Sequence, residues 1–133
     1  MDQRLPKRNE VAEELTWRLE DIYPDNEAWE KELAESQVLA DEAVSYEGTL
    51  SESADQLYKA LKAYDDCQLM LDRIGGYAHM RHDEDTANAL YQELDLKAES
   101  SYVKIMEKLA FLNRRSWSFP RRNWRAFIRK NPV

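Results

Sequence analysis

Glycine is nearly absent from this chain, with three in 133 residues, and proline is scarce, with four. A sheet protein of this length would need many more turn-forming residues, so the shortage argues against an all-β fold of short strands. No run approaches the roughly 18 consecutive apolar residues of a membrane span. The first ten residues, Met1 to Glu10, contain no apolar stretch of the kind a secretory signal carries. A single cysteine, Cys67, excludes an internal disulfide and suits a reducing compartment, so the cytoplasm is the expected location. Also missing are G-x-S-x-G, C-x-x-C, H-E-x-x-H and any glycine-rich phosphate loop. The chain therefore carries no complete catalytic or metal motif of its own.

What is present is a helical pattern. Hydrophobic residues make up 43% and charged residues 34%, enough for a core and too apolar for a disordered chain. The length fits one domain. Residues 1–24 read as an N-terminal arm whose anchors Leu15, Trp17, Leu19, Ile22 and Tyr23 pack down on something. Asp25 after Pro24 caps a first helix running to about Tyr46, with Trp29, Leu33, Ala40 and Val44 on one side and Gly48 as its stop. Ser53 and Gln56 form an S-x-x-Q capping box. Beyond it Leu57, Leu61, Tyr64, Leu71, Ile74 and Ala78 recur at helical spacing, through Gly75-Gly76 to about Arg81. The two glycines imply either a closely approaching backbone or a kink. Asp85 or Thr86 caps a third helix, with Ala87, Tyr91, Leu94, Ala98, Tyr102, Ile105, Leu109 and Leu112 in a nearly seven-residue rhythm. Helices two and three, each about 40 Å long at 1.5 Å per residue, are expected to pair antiparallel across a turn near Asp83–Thr86. A short fourth helix follows Pro120. The expected fold is all-α: one helical domain over 1–133, an elongated bundle built on a long antiparallel hairpin. Within it lie an arm (1–24), a three-helix region (25–112) and a basic, aromatic C-terminal segment (113–133).

Three features invite a chemical reading, and each has a plainer one. His79 and His82, the only histidines, form H-x-x-H followed by Asp83, Glu84 and Asp85. Two imidazoles three residues apart on a helix supply two zinc ligands, but a site needs three or four. With no third ligand fixed by the spacing, a solvated helix end is the better reading, and no metal residue is assigned. Cys67 lies on an apolar stripe and reads as a small core residue. From Lys108 to Val133 there are eight basic residues and no acid, against a net charge of −7 for the chain. The first 107 residues thus hold 11 basic and 26 acidic groups. Arginines interleaved with Trp117, Phe119, Trp124 and Phe127 can hold single-stranded nucleic acid. The aromatics fall at core spacing, however, so a helix with one buried face is preferred and neither nucleic acid nor membrane is an expected partner.

Two phrases carry a family resemblance. Leu15-Thr16-Trp17-Arg18-Leu19-Glu20-Asp21-Ile22-Tyr23-Pro24 resembles the opening of oligoendopeptidase F, with its Trp-x-Leu-x-Asp-Ile-Tyr-Pro-like phrase. Tyr77-Ala78-His79-Met80-Arg81-His82-Asp83-Glu84-Asp85-Thr86, then Ala87-Asn88 and Tyr91-Gln92, resembles that family's Tyr-Ala-x-x-x-x-x-x-Asp-Thr signature. The similarity covers residues 5 to about 112. It implies a zinc metallopeptidase that cuts short peptides in a closed helical cavity, with its H-E-x-x-H helix several hundred residues downstream. None of those catalytic positions exists here, so no site residue carries over: the resemblance implies a noncatalytic N-terminal helical domain walling the channel. Zinc and peptide substrates then belong to the full-length enzyme, and this chain needs no cofactor. The alternative is a free-standing helical interaction module. Beyond Leu112 the family's acidic Pro-Glu-Ile-Leu and Pro-Glu-Glu pattern gives way to Asn113-Arg114-Arg115-Ser116-Trp117 and Phe119-Pro120-Arg121-Arg122, with the charge reversed. Ending at Val133, the chain reads as a fragment or truncated product. Alone it is expected to hold no stoichiometric zinc, to cleave no peptide and to self-associate as a homodimer.

Overall fold

The computed structural model describes residues 4–118 and 129–130, and the side chains of 113–118 fall outside that description. Asp25 starts the first helix, since its extended backbone lets its carboxylate accept the Ala28 N–H at 2.8 Å. α1 then runs over Asn26–Val44. It ends two residues before the expected Tyr46, in successive turns that pass Gly48 at φ +88°, a left-handed conformation that costs glycine little. Ser53 caps α2, Ala54–Glu84, by accepting the Gln56 N–H at 3.1 Å. The Gln56 amide reaches the Thr49 hydroxyl at 3.2 Å, tying the helix start to the turn before it.

α2 passes unbroken through Gly75-Gly76 and ends three residues beyond the expected Arg81. The cap of the third helix is neither Asp85 nor Thr86. Asp85 closes α2 and accepts the Ala87 N–H at 3.3 Å, leaving Asn88 to take the N–H groups of Leu90 at 3.0 Å and Tyr91 at 3.4 Å. α3 covers Ala89–Ser118 and so continues past the expected end near Leu112. The 31 residues of α2 and 30 of α3 span about 46 Å and 45 Å. The expected fourth helix, with Trp124 and Phe127, lies outside the described residues, as do Phe119 and the side chain of Trp117.

The helices run up, down and up, and no strand occurs among the described residues. α1 lies antiparallel to α2, its register set by Trp29. The indole is fully buried and its N–H donates to the Ile74 carbonyl at 2.9 Å, while one turn of α2 further on the Tyr77 hydroxyl donates to Asn26 Oδ1 at 3.0 Å. α3 runs parallel to α1, with Lys97–Glu30 at 2.8 Å and Lys108–Asp41 at 2.7 Å bridging them at the same sequence offset of 67. No helix is long and apolar enough to cross a membrane among the described residues.

The core falls into two clusters. One, near the hairpin turn, holds Tyr23, Trp29, Leu33, Ile74, Tyr77 and Leu94. The other, at the far end, holds Ala40, Ala43, Ala60, Ala63, Ile105 and Leu109. In the first turns of α2 the buried line runs through Ala60, Ala63 and Cys67, one residue ahead of the expected Leu61 and Tyr64. Leu61 is 42% exposed, and Tyr102 on α3 is also exposed. The small residues face α1 at Ala40 and Ala43, where little room exists between backbones, and leave the larger ones at the flanks.

The arm consists of three short 3-10 turns, Arg8–Glu10, Glu13–Leu15 and Leu19–Asp21. Of its expected anchors, Leu19 and Tyr23 are buried and Ile22 partly so, whereas Leu15 and Trp17 are 77% and 80% exposed. The arm is held through Leu19, Glu20 and Tyr23 at its C-terminal end and through Arg8 near its start, and Leu15 and Trp17 lie exposed between these ties.

Leu94→Ala should cost about 2–5 kcal/mol, the usual range for a buried leucine, and Leu61→Ala about 1 kcal/mol or less. Urea denaturation of the two variants checks the rotated face. A second prediction concerns the arm. Glu20 bonds Arg81 at 2.7 Å, and that guanidinium holds the carboxyl below its ordinary value. A depressed carboxyl stabilises the folded form above its unfolded pKa, and the effect fades as pH falls through the lowered value. Hydrogen exchange should therefore show the Ile22 and Tyr23 amides losing protection as pH drops below about 4. In Glu20→Gln that acid sensitivity should flatten.

Candidate functional site

The two phrases singled out in the sequence meet in space at the hairpin end of α2. Tyr23 and Tyr77 pack edge to face, with ring centroids 5.2 Å apart and planes at 84°. Arg73 lies over the Tyr23 ring at 5.4 Å, and burial followed by the nearby Glu32 carboxylate pushes the Tyr23 phenol up. Arg81 sits at the centre. It bonds Glu20 of the arm at 2.7 Å and Glu84 at 3.0 Å, and its guanidinium stacks on Tyr77 at 5.2 Å and Tyr91 at 6.0 Å. Glu84 also accepts from Arg8 at 3.1 Å. Arg81, Glu20, Glu84 and Arg8 are committed to one another. The junction fastens arm, α2 and α3 together, and its acids are paired with arginines rather than set against a second titratable group of the kind acid–base chemistry needs.

The histidines lie on the neighbouring side of α2. His79 Nδ1 and His82 Nδ1 approach the two oxygens of Asp95 on α3, at 3.5 Å and 3.3 Å, and His79 Nε2 lies 3.7 Å from Asp83. Sequence spacing could not supply Asp95, because it reaches the histidines only through the fold of the hairpin. Even so, no group of three or more His, Cys, Asp or Glu is placed to hold a metal ion among the described residues. The donor set does not fit a zinc ion. Cys67 is buried, and burial raises its thiol pKa, which suppresses the nucleophilic thiolate.

A groove of about 450 Å3 opens between α2 and α3 next to His79. It is lined by the apolar Leu71, Gly75, Gly76, Ala98 and Tyr102 and by the polar Asp72, His79, Asp95 and Glu99. A Cβ added at Gly75 or Gly76 would meet nothing within 4 Å. Among the described residues no backbone approaches the pair within 4 Å, and α2 is continuous across it. The groove was not legible in the sequence, because it arises from what the glycines leave empty.

Comparison with known proteins gives one consistent answer. The chain is 46% identical over 109 residues to oligopeptidase PepF of Bacillus subtilis, covering 82% of this chain and 16% of that protein. It is 37% identical over 107 residues to an oligoendopeptidase F homolog of Lactococcus lactis, covering 78% and 18%. Group B oligopeptidase PepB of Streptococcus agalactiae matches at 28% over 125 residues, covering 94% and 21%. The chain thus spans about a fifth or less of the curated relatives it matches. No family model and no solved structure matches it.

Because a Cβ is unopposed at both positions, Gly75→Ala and Gly76→Ala should each stabilise the chain, by about 0.5–1 kcal/mol. Thermal unfolding of the single variants measures this directly. A drop in melting temperature would mean that the backbone at the groove needs glycine after all.

Proposed function

The chain belongs to the oligoendopeptidase F family as the counterpart of an N-terminal fragment, and we propose that it is a noncatalytic helical segment forming part of the wall around a peptide-cleaving cavity. The observation that carries this reading is the use made of the two family-like phrases. Their residues close on one another through the Arg81 junction and the Tyr23–Tyr77 contact, so they build a rigid corner and contribute no reacting group. Zinc and the catalytic machinery would then lie in the four-fifths of the relatives' length that this chain does not match, since its own histidines and carboxylates do not fit the metal. The expected setting is cytoplasmic, with peptides as the substrates of the complete enzyme.

The test is a chimera in which residues 5–112 replace the matching segment of the Bacillus subtilis oligopeptidase. Retained hydrolysis of a quenched fluorescent oligopeptide is expected. A folded chimera that binds zinc and cleaves nothing overturns the reading. The isolated 133-residue chain should cleave no such peptide, and activity that persists through rigorous purification would equally overturn it.

A second reading, a free-standing helical interaction module that dimerises, is favoured by the apolar side chains left open on the arm, Leu5, Leu15 and Trp17. Large aromatics in that position act as interface anchors. Sedimentation equilibrium at micromolar concentration should show mass above 15.7 kDa, reduced by Trp17→Ala. A single species at monomer mass ends this reading.

A further inference from the structure

The groove between α2 and α3 is an empty volume that the helix accepts at a cost. Two adjacent glycines disfavour a helix interior, and nothing within 4 Å among the described residues requires either of them. Beside them lies an open depression of about 450 Å3. Its lining is largely apolar and includes the partly exposed Tyr102.

The rim decides the occupant. Asp95 is engaged by His79 and His82. Glu99 has no ion pair among the described residues, and Asp72 accepts from the neutral Gln68 amide at 3.1 Å. Two carboxylates therefore flank an apolar trough with no ion pair of their own among the described residues, while His79, which also lines it, is turned to Asp83 and Asp95. The helices around them belong to a stretch with 26 acidic against 11 basic residues, whose field draws cations toward such a cleft and repels anions. A second copy of the same acidic helices would meet like charge. A short peptide bearing lysine or arginine meets none: its backbone lies against the glycines, its aliphatic stem on Leu71 and Ala98, and its charge on Asp72 and Glu99, with Tyr102 as an aromatic face for the cation.

We propose that the groove at Gly75–Gly76 is a binding site for short cationic peptides. This rests on the reading of the chain as a wall of a peptide-handling cavity, and specifies the substrate chemistry that this wall selects.

The test uses the full 133-residue chain and two fluorescein-labelled hexapeptides, Ala-Lys-Leu-Lys-Ala-Ala and its glutamate counterpart, followed by fluorescence anisotropy at low salt. The lysine peptide should bind at least about tenfold more tightly than the glutamate peptide, with the preference shrinking as salt rises. Gly76→Leu fills the trough and should weaken lysine-peptide binding about tenfold with the helical circular dichroism intact, while Glu99→Gln should weaken it about threefold. Equal affinity for the two peptides, no binding of either, or unchanged binding by Gly76→Leu overturns the site. Self-association that Gly76→Leu abolishes also overturns it, by giving the groove to a second copy. In the chimera, surviving activity with an unmoved KM for the lysine peptide in Gly76→Leu overturns the groove alone. An inactive chimera beside a normal peptide response in the isolated chain overturns the wall reading alone.

Discussion

A buried indole has one hydrogen to donate and nowhere to hide it, and the arrangement of this chain follows from where Trp29 places that hydrogen. The acceptor is the Ile74 carbonyl on α2, and leaving the donor unmet in the core would cost about 1–3 kcal/mol. Once it is met, α1 can neither slide nor rotate on α2. Asn26 then falls beside the Tyr77 hydroxyl, and Tyr77 presents its ring to Tyr23 and its face to Arg81. Arg81 in turn reaches Glu20 and holds the arm. A single satisfied donor thus propagates through three aromatic rings and a guanidinium to the N-terminal turns.

The two ends of the bundle solve the packing problem differently. Near the hairpin turn the gap between helices is filled by large side chains, Trp29, Tyr77 and Leu94, and the polar tips among them find partners. At the far end Ala40, Ala43, Ala60 and Ala63 bring α1 and α2 together over short side chains. Ser36 marks the transition: it is buried yet harmless, because its hydroxyl donates back to the Leu33 carbonyl at 2.7 Å. The groove beside Gly75 and Gly76 lies where α2 meets α3.

Much of this was readable from residues alone, for reasons that can be named. Asp25 and Ser53 announce their helices because a short polar acceptor before an apolar-periodic run has one efficient use. The hairpin was legible because two long amphipathic stretches flank a short polar link. The rotated face at Ala60, Ala63 and Cys67 was not, since alanine is as common on exposed faces as on buried ones and the leucines beside it draw the eye. Asn88 does not stand out because Asp85 and Thr86 are equally good caps in isolation, and only the end of α2 removes Asp85 from contention. Leu15 and Trp17 looked like anchors because size suggests burial, yet the turns of the arm leave them outside. Asp95 and the groove belong to pairs of helices, and no single stretch of sequence contains them.

The bridges Lys97–Glu30 and Lys108–Asp41 share one offset and stand 11 residues apart, so they act as the two marks of a vernier between α1 and α3. Exposed pairs of this kind add little free energy. Their worth is kinematic: a slip of one helical turn, about 5.4 Å, would break both together, and a tilt would open one before the other. Parallel helices joined only through a third have no loop of their own to fix their relative height. Here the scale is engraved on the surface, and α3 can be read against α1 directly, without reference to the helix that joins them along the chain.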